Sequence, residues 1–339
     1  MIDGQLLLGS LTGDLERYFA FDSTGFRQFF EAEGCNPCLS PSVDGRYVTH
    51  PYVAPGDAFA AAVYDVSTDT TEELPVPDGL DGLGPGPLSP DTRRFVRHGW
   101  SDSDPARNAL YTTARDGSDL VTVSPVTDGR GRDVIEWSTD GASLLVFSED
   151  ETRTAARHLG DLSVIGVDGG ETRLLNPDGT SVSAIIRFGT AASFSPDGTR
   201  VAFAARQTDQ PDETALFVAP VAGGAPRQVT DWGPGTTTAL WSPDGESILF
   251  DHDGVGGPSI SLVQPDGAGR RDVWTSDADG FGCCGTWSPD GARILFQRGS
   301  GDARELWVMD ADGQIEGRAE VDMAQWIWYR WTPQPGRSG

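Results

Sequence analysis

Lysine is absent from this chain: its 25 Lys+Arg positions are all arginine, set against 51 Asp and Glu, for a formal net charge of −26. The absence excludes Schiff-base lysine chemistry and a P-loop lysine. Its simplest source is a GC-rich genome, from which the AAA and AAG codons tend to be lost; a halophilic source would also account for the acidity. A chain this short of cationic surface is a poor match for nucleic acid, whose binding depends on displacing counterions, and for anionic membranes. The charge favours solubility and leaves basic partners open. No run of about 18 apolar residues occurs, so no transmembrane helix is expected. No signal peptide is visible, which makes the default location cytoplasmic, or extracytoplasmic if an upstream start codon carries a signal. Sustained helical periodicity is also missing.

What the chain has in abundance is one phrase: an apolar or aromatic residue, Ser-Pro-Asp-Gly, then a short apolar run. It reads Phe194-Ser195-Pro196-Asp197-Gly198, Trp241-Ser242-Pro243-Asp244-Gly245 and Trp287-Ser288-Pro289-Asp290-Gly291, with degraded copies at Leu39-Ser40-Pro41, Leu88-Ser89-Pro90-Asp91, Trp137-Ser138-Thr139-Asp140-Gly141 and Trp331-Thr332-Pro333. Taking Ser40 as the first mark, the spacings are 49, 49, 57, 47, 46 and 44 residues. Such a period marks a closed or stacked repeat architecture. Pro, Asp and Gly suit a tight turn between antiparallel strands. The runs that follow, Arg200–Phe203, Ser247–Phe250 and Arg293–Phe296, read as buried strands, and a third and a more polar fourth strand follow each. Four strands per repeat make a propeller blade.

The Trp-Ser-Pro-Asp-Gly phrase with four strands resembles the WD40-like repeat called PD40, found in TolB-like propellers and in the propeller domains of prolyl-oligopeptidase-type enzymes. The resemblance covers nearly the whole chain. It implies an all-β, seven-bladed β-propeller of four-stranded antiparallel blades in a single domain, 1–339. The internal blades fall at about 34–78, 79–127, 128–176, 177–231, 232–276 and 277–320. Residues 1–33 supply three strands and 321–333 a first strand, one shared blade that closes the ring and leaves no open sheet edge.

In such a ring the loops joining second to third strands lie on one face, the top. His50, His98, His158 and His252 map at or in those loops, and Cys35, Cys283 and Cys284 just before or early in first strands. Counted from the motif serines, Cys35 and Cys283 are equivalent positions flanking the closing blade, which carries Trp326 and Trp328. The candidate ligand- or partner-binding residues are therefore Cys35, Cys283, Cys284, Trp326, Trp328, His50, His98 and His252. None is assigned as catalytic or as a metal ligand, and no cofactor is expected. For the cysteines, the local disulfides Cys35–Cys38 and Cys283–Cys284 fit better than Cys35–Cys283, which would span a blade and exceed about 7 Å between Cα atoms; free buried thiols are the alternative. The motif tryptophans read as core, and the acidic phrases Asp251-His252-Asp253-Gly254, Asp277-Ala278-Asp279-Gly280 and Asp310-Ala311-Asp312-Gly313 as turns, since none has EF-hand spacing. An insertion around Asn176–Ala191, with Ile185-Ile186, lengthens one top loop.

Three functions compete. The first is a non-catalytic scaffold, a monomer that presents its top face to a protein or peptide. With no G-x-S-x-G elbow and the repeats filling the chain, it is not a complete prolyl-oligopeptidase-type peptidase. The second is a metal-dependent polysaccharide lyase or other top-face enzyme: the resemblance extends to oligogalacturonate lyases, which cleave acidic oligosaccharides with a histidine-held metal. This chain lacks a His-x-His pair, and its acidity suits an anionic substrate poorly. The third is carbohydrate or small-ligand binding at the channel mouth through Trp326 and Trp328.

Overall fold

The computed structural model describes residues 5–12, 15–22, 25–33, 40–53, 59–125, 132–149, 159–170, 173–183, 192–210, 212–254, 256–276, 280–300, 303–318 and 326–332. Within them the chain is all-β, with one three-residue 3-10 turn, Pro105–Arg107. It divides into two compact units: Met1–Asp150 with Ser163–Leu174 and Thr332–Gly339, and Glu151–Leu162 with Leu175–Trp331.

The first unit holds an antiparallel meander of Gln5–Thr12, Leu15–Asp22 and Gly25–Glu33. It also holds the four strands Ser40–Pro41, Tyr47–Val53, Phe59–Asp65 and Thr70–Leu74. Short strand Gly82–Leu83 joins this set to the next, formed by Arg94–Trp100, Ala109–Ala114 and Val121–Pro125 with Leu88 bridged to Phe95. The second unit holds three complete four-stranded meanders. They run Ala192–Phe194 to Arg227–Gln228, Leu240–Trp241 to Arg271–Thr275, and Gly280–Trp287 to Ile315–Arg318. Each is the strand–turn–strand order expected from the repeat.

The repeated phrase makes the same turn in six copies. The serine hydroxyl donates to the aspartate two residues on, at 2.5–2.6 Å in Ser42–Asp44, Ser89–Asp91, Ser138–Asp140, Ser195–Asp197, Ser242–Asp244 and Ser288–Asp290. The same serine oxygen accepts the backbone N–H five residues on, as from Arg200 to Ser195 at 3.0 Å and from Arg293 to Ser288 at 2.9 Å. Glycine closes the turn with φ between 68° and 72° at Gly45, Gly141, Gly198, Gly245 and Gly291, a conformation that a Cβ disfavours. Thr92 takes that place in the second copy at φ 59°, with its N–H on the Ser89 carbonyl at 2.8 Å.

These bonds correct the first repeat mark. The turn serine is Ser42, in Ser42-Val43-Asp44-Gly45, while Ser40–Pro41 is the strand before it. Cys35 and Cys283 then stand seven and five residues before their serines and are not equivalent positions; the residue in register with Cys284 is Cys38. The error arose because Ser40-Pro41 imitates Ser-Pro, whereas the chemistry of the turn resides in Ser and Asp.

The motif aromatics are core, as expected: Trp137, Phe194, Trp241, Trp287 and Trp331 are all buried. In the second unit, successive residues of one strand point to opposite sheet faces. Ile248 and Phe250 join Ala202, Leu216, Val229 and Trp241, whereas Leu249 joins Ile260, Val273, Trp287, Ile294 and Phe296. Burial on both faces explains why these strands read as continuous apolar runs.

The turn's carboxylate has a measurable signature. The Ser195 hydroxyl, then the Thr199 N–H and hydroxyl, hold Asp197 down from 3.8 to about 2. Because the folded value lies below the unfolded one, this turn's contribution is whole above about pH 4 and is lost as pH falls through the folded value. Ser195→Ala is expected to move the Asp197 titration back up toward 3.8, read by carboxyl-carbon NMR. An Asp197 titration unchanged by the substitution would contradict the assignment of the hydroxyl as the main cause.

Candidate functional site

Residues that leave a doubly buried strand for solvent do so at its ends. In the strand Ile248–Gly254, the apolar Ile248, Leu249 and Phe250 give way to Asp251, His252 and Asp253 before the hairpin into Gly257–Val263. Against this end lies the segment Thr230–Thr236, and between them opens a cleft of about 510 Å³ lined also by Arg270, Asp272 and Thr275. That volume is in the usual range of small-ligand sites, about 300–1,000 Å³.

Sheet register builds the floor. Phe250 pairs with Ser261, and Ser261 with Asp272, so the three stand in a row on one face; His252 is two residues along the strand from Phe250, on the same face. The imidazole stacks on Phe250 with ring centroids 5.5 Å apart. Its Nε2 is 3.1 Å from Asp272 Oδ1 and 2.9 Å from Ser261 Oγ. The Ser261 hydroxyl itself donates to Asp272 Oδ1 at 2.6 Å. Contact with a carboxylate places a proton on Nε2; in the neutral ring Nδ1 is then an acceptor. Arg270 reaches within 3.4 Å of Nε2 and lies over the Phe250 ring at 5.4 Å. Partial burial would raise the Asp272 carboxyl, but hydrogen bonds from Ser261 and His252, with the charge of Arg270, hold it below its ordinary value.

The opposite lip is tied by a second carboxylate. Asp251 is buried, and its Oδ1 accepts from the Thr237 N–H at 3.1 Å, the Thr237 hydroxyl at 3.0 Å and the Thr238 N–H at 2.7 Å. Thr236 N–H is held by the Thr214 hydroxyl at 2.8 Å. Gly235, at φ 86°, lets the Asp253 side chain cross the backbone where a Cβ would collide. Trp232 is half-buried and packs on Phe217 at 5.6 Å.

Of the candidate binding residues named from sequence, His252 alone lines this cleft. All three described histidines lie inside second strands, not in the loops beyond: His50 in Tyr47–Val53, His98 in Arg94–Trp100 and His252 in Ile248–Gly254. His50 is buried in the first unit, Nδ1 at 2.9 Å from the Pro51 carbonyl, and burial pushes its pKa down. His98 is exposed in the same unit, 6.4 Å from the Trp100 ring. Cys283 and Cys284 form a vicinal disulfide in Gly280–Trp287, with Cys284 at φ 64° and a register shift before Thr286. Trp326 and Trp328 belong to the strand Trp326–Thr332; their side chains, and Cys35, Cys38, His158 and Ile185-Ile186, lie outside the described residues. Among the described residues no three His, Cys, Asp or Glu side chains converge to hold a metal. The phrase Asp251–Gly254 proves to be strand, whereas Asp310 makes the expected turn, accepting from the Asp312 and Gln314 N–H groups at 2.9 and 2.8 Å.

Sequence reasoning missed Trp232, Asp253, Ser261, Arg270 and Asp272. Two signals pointed to them: a tryptophan outside the motif in the turn-rich Trp232-Gly233-Pro234-Gly235, and polar residues at alternating positions of otherwise apolar strands.

Residues 178–316 match the PD40 family, the TolB beta propeller domain. The Tol-Pal system protein TolB of Anaeromyxobacter dehalogenans (strain 2CP-C) is 34% identical over 84 residues, which are 25% of this chain and 19% of that protein. This chain thus matches under a fifth of that relative's length. Among solved structures, TolB from Acinetobacter baumannii aligns with a TM-score of 0.54 at 14% identity, over 98% of this chain and 67% of that one. An oligogalacturonate lyase in complex with manganese aligns with a TM-score of 0.62 at 15% identity, over 98% and 86%. Identities this low carry the fold alone.

The lip makes a direct prediction. Asp251→Ala strips the Thr237 and Thr238 N–H groups of their acceptor and is expected to cost about 1–3 kcal/mol, read by urea denaturation. A loss within about 0.5 kcal/mol, the range of a neutral surface change, would show that the lip holds without it.

Proposed function

From a chain whose repeats are those of TolB-type PD40 propellers, we propose a non-catalytic scaffold that binds a protein or peptide partner through one face of a seven-bladed ring. The cleft beside His252 is a part of that face. Seven copies of the turn phrase support the blade count, with residues 1–33 and 321–333 sharing one blade. Single-particle class averages viewed down the ring axis are expected to show seven sectors; six or eight would overturn the count.

The observation that carries the binding reading is how His252 is held. In a nucleophilic triad the serine hydroxyl meets one ring nitrogen and the carboxylate orients the other. Here Ser261 and Asp272 both meet Nε2, and the Ser261 proton goes to Asp272. The serine is therefore not activated, and the set fixes a ring as a recognition surface. The cleft combines that ring with a half-buried tryptophan, hydroxyls and charges of both signs, the mixture found at partner-binding surfaces. It lies where a second-to-third strand hairpin meets the loop entering a first strand, and loops on a rigid scaffold are where binding residues concentrate.

A photo-crosslinking amino acid in place of Trp232, introduced in the native host, tests this. A discrete protein adduct that disappears with His252→Ala supports the reading. Absence of any adduct, or one that persists unchanged with His252→Ala, would overturn it.

A further inference from the structure

Charge within the cleft is unbalanced. Asp272 has the guanidinium of Arg270 nearby and two hydrogen-bond donors of its own. Asp231 and Asp253 have neither: both are exposed, both line the cleft, and among the described residues neither carboxylate meets a hydrogen-bond or ion-pair partner. The cleft therefore carries about two uncompensated negative charges.

A second feature is independent of charge. His252 is nine-tenths buried, at 9% exposure, and its Nε2 is taken by Asp272 and Ser261. Among the described residues Nδ1 meets no hydrogen-bond partner, although the ring lines the cleft. In the neutral ring, with the proton on Nε2 facing Asp272, Nδ1 is an acceptor with no donor among the described residues. Nδ1 is not sealed from solvent, so water meets it in the free protein and a ligand's donor would displace that water. Trp232, half-buried, stands in the same wall.

We propose that this cleft takes the guanidinium of an arginine side chain presented by a basic segment of a protein partner. A guanidinium is acceptor-free, carries five N–H donors in a planar fork, and stacks on aromatic faces. It would give charge to Asp231 and Asp253, a donor to His252 Nδ1 and a cationic plane to Trp232. Each feature the cleft leaves unsatisfied is one that this group supplies. A lysine ammonium would meet the charge without the planar fit, and a neutral glycan would leave both carboxylates uncompensated. The inference rests on the partner-binding reading and narrows it.

The test measures fluorescence anisotropy of labelled hexa-arginine, hexa-lysine and hexa-citrulline peptides against the full chain at low and at physiological ionic strength. Three proteins are compared: the parent, Asp231→Asn/Asp253→Asn, and a control, Asp209→Asn/Glu246→Gln, which removes two exposed carboxylates of the same unit outside the cleft. Hexa-arginine is expected to bind parent and control alike and the cleft variant at least tenfold more weakly. Hexa-lysine is expected to be weaker than hexa-arginine, and citrulline, the neutral isostere, to lose most of the affinity. Equal affinity of cleft variant and control would overturn the proposal, because the attraction would then belong to the acidic surface as a whole. So would equal binding of citrulline and arginine peptides, which would assign the cleft to neutral donors such as glycan hydroxyls. The Trp232 crosslink separates the two claims: an adduct that forms equally with Asp231→Asn/Asp253→Asn but is lost with His252→Ala keeps the partner and removes the guanidinium.

Discussion

A serine hydroxyl bonded to an aspartate two residues away organises this molecule. The bond fixes a tight turn, and the same serine oxygen then catches the N–H five residues on, which starts the second strand in one register only. Register matters because side chains alternate between faces, so a slip of one residue would exchange them. In the repeat after Ser242 such a slip would send Phe250 and His252 to the face now occupied by Leu249 and Asp251. Core and cleft would be lost together.

That coupling explains why the site lies where it does. Sheets stacked on both faces make unpartnered polar residues costly away from strand ends and loops. Within Ile248–Gly254 the change from apolar to polar takes place over one residue, from Phe250 to Asp251. Asp251 turns to one side and ties the loop at Thr237–Thr238; His252 turns to the other and meets Ser261 and Asp272. One strand thus supplies both the floor of the cleft and the bond that holds its lip.

The fold was legible because its signal is local and repeated. Turn residues, strand residues and motif tryptophans all declare themselves within a few positions, and the second unit follows that order through three successive meanders. The misplaced first repeat mark, Ser40 for Ser42, came from weighting proline in a copy that lacks it at the second position. The cleft was far less legible. Ser261, Arg270 and Asp272 approach His252 only through strand pairing, and Trp232 only through packing of the preceding segment. Such contacts leave no fixed spacing. The histidines looked alike in sequence, yet His50 is buried, His98 is exposed and His252 is hydrogen-bonded into a cleft, differences set by what each strand packs against.

The dependence of site on turn can be measured directly by amide hydrogen exchange in the parent chain and in Ser242→Ala. The account predicts loss of protection at Ser247, spreading along Ile248–Gly254 and into Thr237 and Thr238, whose donors rest on Asp251. Protection unchanged beyond Ser247 would contradict it, and would mean that the cleft is held by core packing independently of the turn.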